Sequence, residues 1–158
     1  MLEDWVFDDN DRALMRRALE QAHTAAQLGE VPVGAVVSSN GKVISFAGNR
    51  RETEHDPLGH AEIIALRNAA ESRGDWRLQD CTLYVTLEPC PMCAGALVNS
   101  RVSRVVYGCD DPKAGALRTL YQIGSDNRLN HRFELIPGVL AEECASLISA
   151  FFSRIREK

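Results

Sequence analysis

Helical and extended patterns take turns along this chain, and few architectures accept that order. Positions 11–28 read as a helix: Leu14, Ala18, Ala22 and Ala25 fall on one face, Asp11 can cap the start, and Gly29 stops it. Strands at 33–37 and 43–47 flank Asn40-Gly41, a pair that accepts the positive φ angles of a tight hairpin turn. Residues 48–59 are polar, contain Asp56-Pro57 and read as a loop. A helix at 60–73 closes at Gly74, and the run TLYVTL makes a strand of 82–87. Pro91 can open a short helix to 100 with Cys90 at its cap. A β-branched strand at 102–107, a Gly/Asp/Pro loop at 108–115, a short helix at 117–123, a strand at 133–136 and a helix at 141–156 complete the order. The expectation is an α/β fold, one sheet of five strands with helices on both faces.

Nothing divides the chain: it shows no repeat, low-complexity tract or linker, and 158 residues suit one domain. We expect a single domain over 1–158, with residues 1–10 as an acidic N-terminal extension. The formal charge of −4 seems to disfavour nucleic acid, but residues 1–11 hold five of the acids and no base, so the remainder is nearly neutral. Arginine outnumbers lysine 15 to 3, and arginine forks onto phosphate and stacks on bases, which is compatible with RNA. The bland reading of those cations is a solvated surface. Five cysteines are an odd number for a secreted disulfide scaffold. The acidic start lacks the basic and apolar segments of a signal peptide. No run approaches the ~18 apolar residues of a membrane span. The expected setting is reducing and cytoplasmic, with no membrane contact, where paired cysteines bind metal rather than each other.

Two motifs open helices. One is His60-Ala61-Glu62 and the other is Pro89-Cys90-Pro91-Met92-Cys93. Cys90 and Cys93 are three apart, so their sulfurs can converge on one ion. A helix start favours thiolate, because its unpaired N–H groups and positive dipole end stabilise negative charge. With His60 as a third ligand, two thiolates and an imidazole suit tetrahedral Zn²⁺. A structural zinc site normally has four protein ligands, whereas a catalytic one leaves a position for water. Glu62 is then placed to touch that water and to move its proton. Neither motif is specific alone, but H-x-E followed by P-C-x-x-C is a zinc-deaminase signature.

The chain resembles the bacterial tRNA-specific adenosine deaminases of the cytidine-deaminase-like superfamily. GHAEIIALR (59–67) and TLYVTLEPCPMCAGAL (82–97) suit several base deaminases. DPKAGAL (111–117), Asn130-His131-Arg132 and GVLAEECASLISAFF (138–152) resemble the tRNA enzymes in particular. The resemblance implies a three-layer α/β/α fold around a mixed five-stranded sheet. It implies a homodimer, one zinc per subunit, and conversion of adenosine to inosine at the wobble position in the anticodon loop of an arginine tRNA. By position His60, Cys90 and Cys93 match the zinc ligands and Glu62 the proton shuttle. Asn49 matches an asparagine that hydrogen-bonds the flipped base. Asp111 falls in an RNA-facing loop as a ribose or backbone contact, and Arg154, Arg156 and Lys158 on the last helix are placed to meet phosphates. Leu117-Arg118 stands where the family usually has small residues.

Other residues carry plainer expectations. His23 reads as an ordinary helix residue, His55 and His131 as loop residues with local hydrogen bonds, and Cys81 and Cys144 as small core residues. Cys109 reads as a loop wall, at least one of Phe151 and Phe152 as core, and Arg50-Arg51 as solvated cations or phosphate contacts. Ala94 to Leu97 suit either close core packing or a dimer seam. Two other functions compete: a zinc deaminase of a free base, nucleoside or nucleotide, and a zinc-stabilised RNA-binding module without catalysis. Glu62 and the three-ligand count argue against the second.

Overall fold

Alternation along the strands divides the interior in two. In the computed structural model, which describes residues 6–157, the strands are β1 (Gly34–Ser39), β2 (Lys42–Gly48), β3 (Cys81–Leu87), β4 (Arg104–Cys109) and β5 (Glu134–Ile136). Ala35, Val37, Leu83, Val85, Val105 and Tyr107 join one buried cluster, while the intervening Val36, Tyr84 and Val106 join another. Helices α2 (Ala61–Arg73) and α3 (Pro91–Asn99) cover the first face through Ala65, Leu66, Ala94 and Leu97. Helices α1 (Asp9–Gln27) and α4 (Ala141–Arg156) cover the second through Leu14, Met15, Ala18 and Cys144. This is the expected three-layer α/β/α arrangement.

The sheet order is β2-β1-β3-β4-β5. β1 pairs antiparallel with β2 and β3, and β3–β4 and β4–β5 are parallel. Asn40 and Gly41 turn the hairpin at φ 53° and 75°. Register then decides where the site lies. Gly48, ending β2, pairs with Gly34 at the start of β1, and Ala35 pairs with Val85 near the end of β3. The chain leaving β2 toward α2 and the chain leaving β3 toward α3 therefore depart from the same edge of the sheet.

Three expectations need correction. Asp8, not Asp11, caps α1; Asp11 is the third helical residue and completes a capping box, its N–H donating to Asp8 Oδ1 (2.9 Å) while Asp8 N–H donates to Asp11 Oδ2 (3.1 Å). The helix therefore begins inside the expected 1–10 extension; Glu3 and Asp4 lie outside the described residues. Residues 117–122 form turns and irregular backbone, not a helix, followed by a 3₁₀ turn at Ile123–Ser125, because the N–H groups of Leu120 and Tyr121 donate back to the Gly115 carbonyl and that of Ile123 to Ala116 instead of four residues back. Cys109 is the last residue of β4, buried, with its thiol on the Thr86 carbonyl.

Candidate active site

Both motif histidine and first cysteine sit at helix caps. His60 is the N-cap of α2 and Cys90 the N-cap of α3, each with extended backbone, and Pro91 occupies the first turn of α3. Their side chains are thereby free to project from the sheet edge rather than along a helix face. Cys93, fully buried, comes from the first turn of α3. His60 Nδ1 lies 3.6 Å from Cys90 Sγ and 3.5 Å from Cys93 Sγ, and the three donors fall within 4.8 Å of one another. Among the described residues this is the group of His, Cys, Asp or Glu side chains positioned to hold a metal ion. The hydrogen bond from Cys93, with His60 beside it, draws Cys90 down toward thiolate, the form that binds metal.

A cavity of about 160 Å³ opens over these donors. Asn49, His60, Glu62, Cys90 and Asp111 all line it, so the structure gathers residues from four separate stretches of the chain. Glu62 is in the first turn of α2 and only 4% exposed, and burial raises its carboxyl above the ordinary range. Asn49 follows β2, is held by its N–H on the Val33 carbonyl (3.0 Å), and is itself buried. Asp111 Oδ1 accepts the N–H of Lys113 (2.9 Å) and of Ala114 (3.3 Å), so this carboxylate also shapes its own turn.

Two further acids belong to this region. Glu88 is 2% exposed and lines the cavity; it accepts the N–H groups of Asp111, Leu117, Arg118 and Thr119 and the Thr119 hydroxyl. Burial pushes its carboxyl up, but the Thr119 hydroxyl and these amides more than offset that and hold it below the ordinary range. Glu30 is fully buried and accepts the N–H of Glu52 (3.1 Å) and of Thr53 (2.6 Å). Neither carries a motif or periodicity that marks it in the sequence. The only signal was position: Glu88 stands between a buried strand and Cys90, where a solvated glutamate is out of place.

The remaining candidates separate cleanly. Arg51 lines the cavity, whereas Arg50 is exposed beside Glu54. His23 and His55 are exposed, and His131 Nε2 is 2.6 Å from the Val102 carbonyl, a local bond. Phe151 is core and Phe152 is 41% exposed. Arg154 flanks a cleft with Ala26 and Gly29, at the end of α1, and Arg156 is exposed; Lys158 lies outside the described residues.

The MafB19-like deaminase family model matches residues 9–156. A tRNA-specific adenosine deaminase of Bacillus subtilis (strain 168) is 49% identical over 148 residues, covering 94% of this chain and 92% of that one. The chain belongs to the tRNA-specific adenosine deaminase family. Another member, from Haemophilus influenzae, is 48% identical over 154 residues, covering 97% of this chain and 89% of its own. A solved structure from work on A-to-I editing by tRNA:A34 deaminases at the wobble position superposes with a TM-score of 0.83 at 40% identity, covering 85% of this chain and 98% of that one.

Proposed function

We propose that this chain converts adenosine to inosine by hydrolysis at the wobble position of a tRNA, with an arginine tRNA as the substrate. The observation that carries the reading is the convergence of His60, Cys90 and Cys93 beneath a cavity that Glu62 shares. Zinc fits the donor set: bonds of about 2.3 Å to sulfur and 2.0–2.1 Å to nitrogen at tetrahedral angles separate S from N by about 3.5 Å, and the separations here are 3.5 and 3.6 Å. His60, Cys90 and Cys93 would hold the ion. When bound, zinc supplies a Lewis acid that lowers the pKa of water to about 7 and so provides a nucleophile at neutral pH.

The chain's own residues do the rest. Glu62 takes one proton from water and delivers it to the adenine ring nitrogen, where it stays, as the oxygen bonds to C6; it then moves that oxygen's second proton to the amine, so that the C6–N bond breaks, the C6 carbonyl forms and ammonia leaves. Its burial keeps the carboxyl from being levelled by bulk solvent. Asn49 offers an amide donor and acceptor to the purine edge. Asp111 meets the ribose or backbone and Arg51 a phosphate. An anticodon loop suits such a cavity because its bases leave the stack at low cost. The reading includes a homodimer in the cytoplasm. Gly95 and Ala96, half-exposed on α3, support the first with a small-residue face, and five unpaired cysteines support the second. No helix among the described residues is long and apolar enough to cross a membrane.

The test is substrate choice. Zinc-loaded protein is given an unmodified arginine tRNA with adenosine at the wobble position, and in parallel free adenosine, guanine and deoxycytidylate. Inosine in the tRNA alone is the expected result. Turnover of a free compound alone would overturn the RNA assignment, and RNA binding without any turnover would favour the non-catalytic module.

A further inference from the structure

The loop of residues 111–119 contributes Asp111 and Ala114 to the cavity wall, yet it contains no regular element of its own. Its shape comes from outside. Glu88, directly after β3, sends a buried carboxylate into the loop. Oε1 accepts the Asp111 N–H (3.1 Å) and the Thr119 hydroxyl; Oε2 accepts the N–H groups of Leu117 (3.2 Å), Arg118 (2.9 Å) and Thr119 (3.0 Å). A carboxylate has about four lone-pair sites, so five donors leave it none for a substrate proton or a metal. Glu88 is thus not a catalytic acid or base, despite lining the cavity.

Two more observations point the same way. Gly115 packs so closely on the Glu88 carboxylate that a methyl group there would overlap it. The Ala116 N–H also donates to the Pro89 carbonyl (2.9 Å), so both residues between β3 and Cys90 grip the loop. The segment that carries a metal-binding cysteine therefore also carries the anchor of the opposite wall, and the two keep a fixed spacing.

We propose that Glu88 is a positioning residue: it fixes the 111–119 wall, through Asp111 and Ala114, at the distance a substrate reaching beyond the base requires. The inference rests on the function proposed above for the identity of that substrate, an RNA loop. Affinity for the RNA then depends on Glu88, whereas the chemical step, carried out by Glu62 and the metal group, does not.

The experiment uses zinc-loaded full-length protein, Glu88→Gln, and an anticodon stem-loop RNA with adenosine at the wobble position. The amide turns one acceptor into a donor that faces donors. KM and the RNA dissociation constant are expected to rise about tenfold or more with kcat within about threefold. Zinc content stays at the wild-type level. Amide hydrogen exchange accelerates at 117–119 and not at Glu52 or Thr53, which Glu30 holds. Thr119→Val, which removes a single donor, is the variant to read if Glu88→Gln does not fold, and a rise of about threefold in KM is expected. Unchanged RNA affinity in either folded variant would overturn the proposal, as would lost zinc or a fall in kcat at constant KM. Failure of the wild-type protein to edit the RNA would instead refute the proposed function, and it appears without any variant.

Discussion

Cys90 and His60 act from helix caps, so each reaches the donor group without bending a helix, and each is replaceable without breaking the core. Cys90→Ala is expected to remain folded and to bind less than about a tenth of the wild-type zinc, read by elemental analysis; stoichiometric zinc would remove Cys90 from the ligand set. Asp11 is a different kind of residue. It is buried, receives both arms of the Arg104 guanidinium (2.7 and 2.9 Å) and the Tyr84 hydroxyl (2.7 Å), and so ties α1 to β3 and β4. Removing Asp11 leaves Arg104 with only its longer ion pair to Glu134 (3.7 Å) and Tyr84 without its acceptor, so Asp11→Ala is expected to cost about 3 kcal/mol in urea unfolding. Burial alone would raise the Asp11 carboxyl, but the bonds from Arg104 and Tyr84 win and bring it down to about 2. Against about 3.9 in the unfolded chain, that is between about 2 and 3 kcal/mol of stability, present above pH ~4 and lost as the pH falls through 2. Wild type should therefore lose more stability than Asp11→Asn between pH 4 and 2; parallel pH profiles would contradict this.

Strands, hairpin and flanking helices are legible at the scale of elements because their signals are local. The apolar run TLYVTL marks β3 and a β-branched run marks β4, Asn40-Gly41 marks the turn, and the Ala-rich face marks α1. The short helix expected at 117–123 fails because the chain folds back on itself: the Tyr121 N–H donates to the Gly115 carbonyl and the Ile123 N–H to that of Ala116, while Glu88, some thirty residues earlier, gathers the amides of 117–119. The same holds on the other side of the cavity, where Glu30 shapes the loop carrying Arg51. A buried carboxylate that organises a remote loop leaves no periodicity to find. Glu30→Gln is expected to speed amide exchange at Thr53 by about tenfold or more, with the sheet amides unchanged. Equal exchange at Thr53 would show that the loop holds its shape unaided.

For the whole molecule, the motifs disclosed the donor group, but the sheet order that brings two helix starts to one edge came only from strand register. The fold's stability resides in two apolar interiors on either side of the sheet, and neither depends on the donor group. Chelation is expected to abolish turnover and to leave the far-UV circular dichroism spectrum in place; a disordered spectrum would show the metal to be structural. In the proposed mechanism Glu62 moves the proton at a site whose metal and RNA are held by other residues. Its most direct test is Glu62→Ala, assayed together for zinc, for binding of the anticodon stem-loop and for inosine. We expect zinc and RNA affinity retained and inosine formation reduced by about 10²-fold or more; inosine at the wild-type rate would contradict the mechanism.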